Sequence, residues 1–358
     1  MMEDSNEDNG EKCLYATFNH DSTCFCIGTN KGFRLYNSYP LKCLIKRDIE
    51  GGVGVIDILN RCNIFAFVGT GDNDRYQPNK VILWDENKSK AINELILIYP
   101  IKNIKFKREK IFLICENNVV VFDSDNYEKI DSIKTCSNKR GIFGISSDAK
   151  KNIISYPSTE IGKIIIKNYD EKKDGNYISL KINAHQSEIV SLGMNSDGSL
   201  VASASERGTL IKVFRVKDGA IIQELRRGTE AAEIYSIAFD FASSYIACSS
   251  NKGTIHIFNV KKEENTETQN QKSIFGTVVS FFGIQNEYLN SEWSFAQYRL
   301  TYKEGSIVTF SPDSSPSVIV LTYDGWYHQG AFDQKSGGEC DTALENNFLN
   351  LDVKVEDD

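Results

Sequence analysis

Short runs of β-branched and aromatic residues recur along the whole chain, and turn residues separate each run from the next. Such runs are typical of β-strands, while Gly, Asn and Asp supply the backbone conformations that tight turns require. Few stretches have a long helical period. The pattern therefore predicts an all-β protein built from strand–turn–strand units.

This unit recurs seven times. Successive units begin roughly 41 to 47 residues apart, except that the last interval is about 73 residues, and this period is expected for four-stranded propeller blades. Tandem β-sandwiches are the alternative, but they would not repeat the unit at one period. The units are CIGTNKGFRLYN from Cys26, FVGTGDNDRYQPNKVILWD from Phe67, ICENNVVVFD from Ile114, SYPSTEIGKIIIKNYD from Ser155, ASASERGTLIKVFRV from Ala202, ACSSNKGTIHIFNV from Ala247 and VLTYDGWYHQGAF from Val320.

The repeat predicts a seven-bladed β-propeller of the WD40 type. A closed ring of blades leaves only short, protected strand edges, so one such domain can use nearly the whole chain. We assign residues 12–334 to a single propeller. Residues 1–11 are predicted to be an acidic, flexible N-terminus, and residues 335–358 an acidic, loose C-terminal tail.

Charge and composition narrow the function. The net charge of −8 argues against nucleic-acid binding, so an anionic ligand must be held by a local basic cluster. The acidic start is unlike a signal or transit peptide, and no apolar run approaches the roughly 20 residues of a membrane-spanning helix, so we expect a cytosolic protein. The nine cysteines are scattered without zinc-site spacing. We expect buried free thiols, no metal and no cofactor.

The strongest chemical signal is Leu225-Arg226-Arg227-Gly228, which joins the fifth and sixth units. Adjacent residues of an extended chain point to opposite sides, so the two arginines predict two neighbouring sites. Arginine suits phosphate because its planar guanidinium offers paired donors in a fixed fork. Gly228 is expected to permit a sharp backbone turn.

Hydroxyl, basic and histidine side chains lie close to the turns of the two flanking blades. Taken singly, each has an ordinary role as a turn residue, a solvated charge or a structural hydrogen-bonding group. Taken together, they favour a pair of phosphate sites. Blade five offers His185, Ser203, Ser205, Arg207 and Thr209, and blade six offers Ser249, Ser250, Lys252, Thr254 and His256.

These motifs resemble the PROPPIN family, the group of Atg18, Hsv2 and the WIPI proteins. The likeness rests on LRRG, on AHQSEI and ASASERGTLIKVF before it, on SSNKGTIHIF after it, and on FNHDSTCFCIGTNKGFRLYN and SEWSFAQYRL near the two ends. It implies a propeller that binds phosphatidylinositol 3-phosphate and phosphatidylinositol 3,5-bisphosphate. It also implies two residue sets: Arg226 with His185, Ser203, Arg207 and Thr209 at site one, and Arg227 with Ser249, Lys252, Thr254 and His256 at site two.

The long last interval contains an insertion, residues 261–291, between strands of the sixth blade. Its first half is polar. In the second half, SIFGTVVSFFGI, most apolar residues fall within an arc of roughly 160° on a helix, which suits a membrane interface. Packing against the propeller or a partner is the alternative, and the resemblance favours membrane insertion. The inserting residues are predicted to be Phe275, Val278, Phe281 and Phe282.

Propellers act as rigid platforms, and the resemblance implies an Atg2-like lipid-transfer protein and other autophagy proteins as partners. Asn19 and Asp21 match a family position for such a contact, although an ordinary polar turn explains them equally well. The four scattered histidines form no evident catalytic set, and no hydrolase or phosphate-loop motif is present. The sequence does not exclude a pair of catalytic carboxylates that meet across the central channel.

The sequence thus predicts a phosphoinositide effector and not an enzyme. We expect a monomeric cytoplasmic protein, peripherally associated with autophagosomal precursor, endosomal or vacuolar membranes. The alternative is a generic WD40 interaction scaffold without lipid binding.

Overall fold

The computed structural model describes residues 10–59, 63–107, 109–261, 291–303 and 305–353. Its strands form seven sheets, each built on four antiparallel strands, which are the seven blades of a β-propeller. The first strands of most neighbouring blades contact each other, and the first strand of blade one contacts that of blade seven, which closes the ring. The predicted fold class is confirmed.

The strands follow one another from the inner to the outer edge of each blade. The first four blades are β1 (Cys13–Phe18), β2 (Cys24–Thr29), β3 (Gly32–Asn37) and β4 (Lys42–Asp48); β5 (Val53–Ile58), β6 (Ile64–Gly69), β7 (Lys80–Asp85) and β8 (Lys90–Ile96); β9 (Ile101–Phe106), β10 (Lys110–Cys115), β11 (Asn118–Asp123) and β12 (Lys129–Lys134); and β13 (Gly144–Ile145), β14 (Ile153–Pro157), β15 (Lys163–Lys173) and β16 (Asn176–Asn183).

The last three blades carry the candidate site. Blade five is β17 (Ile189–Met194), β18 (Leu200–Ser205), β19 (Leu210–Arg215) and β20 (Ile221–Arg226), with β24 (Glu292–Trp293) added in parallel at its outer edge. Blade six is β21 (Ile234–Phe239), β22 (Tyr245–Ser250), β23 (Thr254–Asn259) and β25 (Ala296–Arg299), with β29 (Gly338–Glu339) added likewise. Blade seven is β26 (Ser306–Phe310), β27 (Ser317–Thr322), β28 (Trp326–Ala331) and β30 (Asp341–Asn347).

The core lies between successive blades, because the second and third strands of a blade bury apolar side chains on both faces. Between blades five and six, for example, Ile211 and Leu225 pack with Ile234, Ile246 and Phe258. Every unit recognised in the sequence begins within the second strand of a blade, where this apolar content is highest. All eight cysteines in the described ranges are free thiols, and seven of them are buried, as predicted.

Blades seven and one meet through side chains. The Tyr36 hydroxyl donates to the backbone oxygen of Phe348 at 2.9 Å, and the Tyr327 hydroxyl donates to that of Ser38 at 2.9 Å. The Phe25 ring of blade one stacks against Tyr327 of blade seven with centroids 6.3 Å apart. Each of these two blades takes its four strands from its own end of the chain, so the ring closes by packing and not by a shared strand.

The predicted ends of the propeller need correction. Residues 335–358 were expected to be a loose tail, but β30 pairs with β28 as the outer strand of blade seven, and Phe348 is fully buried behind it. An outer strand is exposed on most of its surface, so its polar composition resembles that of a tail. At the other end, Glu11 forms an ion pair with Arg34 at 2.5 Å. It therefore packs on blade one rather than in a flexible N-terminus.

The insertion leaves after β23 and returns at Ser291, between the third and fourth strands of blade six. Its candidate inserting residues, Phe275, Val278, Phe281 and Phe282, lie outside the described residues. Among the residues that the structure describes, no helix is long and apolar enough to cross a membrane.

Candidate functional site

Arg226 and Arg227 point to opposite faces of blade five. Arg226 is the last residue of β20, and its Nε donates to Oγ of Ser291 at 2.8 Å. Its guanidinium lies 5.8 Å from the ring centre of Trp293. Arg227 turns the other way, towards blade six, and its Nε donates to the backbone oxygen of Gly208 at 3.0 Å. The geometry therefore presents two separate cationic positions.

A cleft of about 340 Å³ opens between blades four and five on the Arg226 side. His185, Arg207 and Thr209 line it, as does Ser205. Two further charged residues, Lys212 and Glu224, also line the cleft and form an ion pair at 3.0 Å. Lys212 and Leu210 pair with Glu224 and Arg226 across β19 and β20, which places all four side chains on one face.

His185 and Ser203 form a single unit at the back of this cleft. Nε2 of His185 lies 3.0 Å from Oγ of Ser203, which is fully buried. Burial, together with the nearby Lys212 charge, lowers the pKa of His185 to about 4, although the Ser203 bond opposes this shift. The imidazole is therefore neutral at pH 7, and positive charge in the cleft comes from arginine and lysine.

The second group of residues lies between blades five and six. His256 is buried on β23, and burial followed by the charges of Arg227 and Arg299 lowers its pKa to about 4. Thr254 stands opposite Arg299 in the β23–β25 pair and shares the face of His256. Lys252, in the preceding turn, contacts the carboxylate of Glu230 at 3.1 Å. Arg227 donates to the backbone oxygen of the same Glu230.

Ser249 stands apart from the other residues predicted for site two. Its hydroxyl donates to the backbone oxygen of Ser306 in blade seven at 3.0 Å, so it faces away from Arg227. The neighbouring Ser250 occupies the face that looks towards blade five, because side chains alternate along β22. The structure therefore brings together Arg227, Lys252, Thr254 and His256 and separates Ser249 from them.

The two sets resemble each other less than their composition indicates. Arg207 and Lys252 hold matching places in the second hairpin of their blades, two residues after the end of the second strand. The histidines do not match, because His185 precedes blade five whereas His256 lies on β23, where blade five has Lys212. The two blades therefore match in their turn residues but not in the positions of their histidines.

Gly228 does not have the backbone conformation expected of it. Its φ is not positive, and a Cβ built at this residue would meet no atom within 4 Å. Gly208 has the demanding position instead: its φ is +59°, and a Cβ would lie 1.8 Å from the backbone oxygen of Ala232. The sharp turn beside the double arginine is therefore made by the hairpin that accepts the Arg227 hydrogen bond.

Asn19 and Asp21 shape the turn between β1 and β2. Oδ1 of Asn19 accepts from the backbone N–H of Cys24 at 3.0 Å, and Oδ1 of Asp21 accepts from the N–H two residues on at 3.1 Å. Asn195 and Asp197 make the same two bonds in blade five, at 2.8 and 2.9 Å. The turn needs both residues in either blade, and the partner contact stays a prediction.

The buried histidines make the stability depend on pH. A pKa of about 4 in the folded state, against about 6.5 in the unfolded state, means that acid favours unfolding between those values. We expect the free energy of unfolding, measured by urea denaturation, to be lower at pH 5.0 than at pH 7.5. This decrease should be smaller by about 2 kcal/mol in His256→Gln than in the parent protein. Identical decreases in both proteins would contradict the lowered pKa of His256. Between pH 7.5 and 8.5 the free energy of unfolding should change in neither protein.

In the described ranges, no three His, Cys, Asp or Glu side chains lie close enough to hold a metal ion. Family comparison supplies the decisive observation: residues 12–347 match the PROPPIN family model. The chain belongs to the PROPPIN family. Autophagy-related protein 18e of Arabidopsis thaliana is 32% identical over 341 residues, which cover 94% of this chain and 88% of the relative. The chain is thus similar to autophagy proteins along nearly its full length.

Solved structures of PROPPIN relatives share the fold. Kluyveromyces lactis Hsv2 superposes with a TM-score of 0.76 at 21% identity, covering 95% of this chain and all of that one. A complex of KlAtg21 with the coiled coil of AgAtg16 gives a TM-score of 0.76 at 21% identity, over 94% of this chain and 99% of that one. At this identity the likeness concerns the fold.

Four residues that lie beside the predicted site residues were not identified in the sequence, and three of them had a signal there. Side chains alternate along a strand, so Glu224, two residues before Arg226 on β20, lies on the same face as Arg226. Lys212 is the residue of β19 that pairs with Glu224. Arg299 follows from aligning QELR at the end of β20 with AQYR at the end of β25. Ser294, whose Oγ lies 3.1 Å from Nδ1 of His256, had no signal, because the insertion hides its distance from β23.

Proposed function

We propose that this protein binds phosphatidylinositol 3-phosphate and phosphatidylinositol 3,5-bisphosphate through two sites on either side of Arg226 and Arg227. It thereby recruits autophagy partners to a membrane. The observation that carries the proposal is that Arg226 and Arg227 point to opposite faces of one blade, each towards basic and hydroxyl side chains, in a protein whose net charge is −8. Membership of the PROPPIN family supports it.

Site one has the chemistry of a phosphate pocket. Arg207 and Lys212 lie in an open cleft with the Thr209 hydroxyl, and these groups can donate to several phosphate oxygens. The neutral His185 offers a ring nitrogen for an inositol hydroxyl. The Lys212–Glu224 pair at 3.0 Å holds the ammonium in place and lowers the local positive charge, which favours a ligand with few phosphates.

Site two has a buried arginine, as site one has, and two further basic side chains at its rim. Arg227 is buried and held by the Gly208 backbone oxygen, whereas Lys252 and Arg299 are exposed. Lys252 contacts Glu230, and Arg299 contacts Glu339 at 3.1 Å. A phosphate would exchange these exposed ion pairs, which contribute little in water, for contacts with its own charge.

The insertion adds apolar affinity to these headgroup contacts. The chain returns from it at Ser291–Ser294, which contact Arg226 and His256, so headgroup binding and insertion would be linked events on one membrane. Linkage can raise overall binding by roughly 10² or more over one contact. The protein then requires a phosphoinositide and an accessible bilayer together.

Liposome co-sedimentation tests the proposal. Vesicles of phosphatidylcholine with 5% phosphatidylinositol 3-phosphate should sediment the protein, and vesicles with the same fraction of phosphatidylinositol should not. The generic scaffold is the alternative, and the similar fold of an Atg21 bound to a coiled coil supports partner binding of that kind. A scaffold without lipid function would sediment equally, or not at all, with both vesicles.

The aromatic pair of the insertion separates bilayer contact from headgroup contact. In Phe281→Ser with Phe282→Ser, the loss of two aromatic rings that would enter the bilayer should weaken liposome binding by at least about tenfold. Binding of soluble dibutanoyl phosphatidylinositol 3-phosphate should stay unchanged in isothermal titration calorimetry. An equal loss in both assays would show that the two rings support the fold.

A further inference from the structure

One short segment contacts both proposed sites. The chain returns from the insertion along Ser291–Ser294. Oγ of Ser291 accepts from Nε of Arg226 at 2.8 Å, and the Trp293 ring centre lies 5.8 Å from that guanidinium. Three residues after Ser291, Oγ of Ser294 lies 3.1 Å from Nδ1 of His256. Four consecutive residues thus reach a central group of site one and a central group of site two.

The segment is fixed by a buried carboxylate. Glu292 is 4% exposed, and its Oε2 accepts from Nε2 of Gln223 on β20 at 2.9 Å. Its Oε1 pairs with Nζ of Lys261 at 2.5 Å. Lys261 stands where the chain departs into the insertion, so Glu292 joins the outgoing chain, the returning chain and blade five. A buried carboxylate with these partners resists displacement.

The backbone adds to this attachment. In the parallel pair of β20 with β24, Leu225 stands beside Glu292 and Arg226 beside Trp293. Blade six repeats the arrangement, with β29 beside β25, but there Arg299 and Glu339 are both about two-thirds exposed. Arg299 is thus held by an ion pair in water, whereas Arg226 is buried.

We propose that Ser291–Ser294 is a positioning element for both headgroup sites. Ser291 and Trp293 orient the Arg226 guanidinium, and Ser294 orients the His256 ring. The inference rests on the proposed function and extends it. A long side chain that is already ordered loses less entropy when it binds, so a fixed Arg226 binds phosphate more tightly than a mobile one. Both sites are also joined to the base of the membrane-contacting segment.

Each site is tested alone with dibutanoyl phosphatidylinositol 3-phosphate in calorimetry. In an Arg227→Thr background, where only site one remains, Ser291→Ala and Trp293→Leu should each weaken binding about tenfold, the size expected for a lost bond to a charged group. In an Arg226→Thr background, Ser294→Ala should weaken site two by about threefold, and Ser291→Ala should leave it unchanged.

Conservative variants separate positioning from stability. Ser291→Thr keeps the hydroxyl and Trp293→Phe keeps an aromatic face, so both should bind within about twofold of their background. Trp326→Leu removes a partly exposed tryptophan from blade seven and should leave binding unchanged. Thermal unfolding of each variant accompanies the titrations.

Two results would overturn the inference while the proposed function stands: unchanged affinity in Ser291→Ala and Trp293→Leu, or an equal loss in the Ala, Leu, Thr and Phe variants that follows their unfolding temperatures. If the unmodified protein binds neither the soluble lipid nor the vesicles, the proposed function fails and the inference fails with it.

Discussion

Replacing both arginines, Arg226→Thr with Arg227→Thr, should lower binding to vesicles that contain phosphatidylinositol 3-phosphate by more than about a hundredfold. Each change removes a planar double donor, and hydrogen bonds between charged groups contribute roughly 1.5–3 kcal/mol each. The two side chains point into different grooves, so the single variants should each retain one soluble-lipid site, and the stoichiometry in calorimetry should fall from two to one.

A control variant must show that the loss of two positive charges elsewhere on blade five does not itself weaken vesicle binding. Arg215→Thr with Lys217→Thr removes the same two charges from blade five, at the turn where Arg215 pairs with Asp218 at 2.8 Å. This variant should bind vesicles as the parent protein does. Arg226→Lys and Arg227→Lys keep the charge but lose the fork, and they should fall between the parent and the threonine variants. Equal binding by the double threonine variant would exclude the lipid function.

Gly208→Ala should cost about 3 kcal/mol or more in the free energy of unfolding, measured by urea denaturation. At φ +59° an alanine is strained, and its Cβ would lie 1.8 Å from the Ala232 backbone oxygen, which cannot move without shifting the start of blade six. Because the Gly208 carbonyl accepts from Arg227, site two should lose affinity as well.

Two other glycines divide this cost into its causes. Gly175 has φ +80° with no atom within 4 Å of its Cβ position, so Gly175→Ala should show backbone strain alone, about 1 kcal/mol. Gly228→Ala meets neither strain nor contact and should be close to neutral. If Gly228→Ala unfolds as Gly208→Ala does, the account of this turn is wrong. If it folds but loses lipid binding, Gly228 provides room for the ligand.

Much of the fold could be predicted because a propeller repeats one local unit, in which strand composition and turn residues agree. The outer strands were the exception. β30 is polar and exposed on most of its surface, and only its pairing with β28 distinguishes it from a tail. Such pairing depends on partners ten or more residues away, which composition does not record.

The candidate site divides in a similar way. The opposite directions of Arg226 and Arg227 follow from the strand period alone, and the structure shows the two side chains on opposite faces of the blade. The face of a single hydroxyl is harder to predict, because a shift of one residue moves it to the other side, as with Ser249. Contacts across the insertion, such as Ser294 with His256, require the closed blade and could not be read from the chain.

The two added strands, β24 and β29, also determine how the ring carries force. Each places chain from the following blade on the outer edge of the one before, so backbone hydrogen bonds run from blade five through six to the chain of blade seven. In the described ranges, blades seven and one are joined by hydrogen bonds from side chains to backbone oxygens and by apolar packing. We therefore expect a load applied beside Arg226 and Arg227 to pass through these backbone hydrogen bonds into blade six and on to the chain of blade seven.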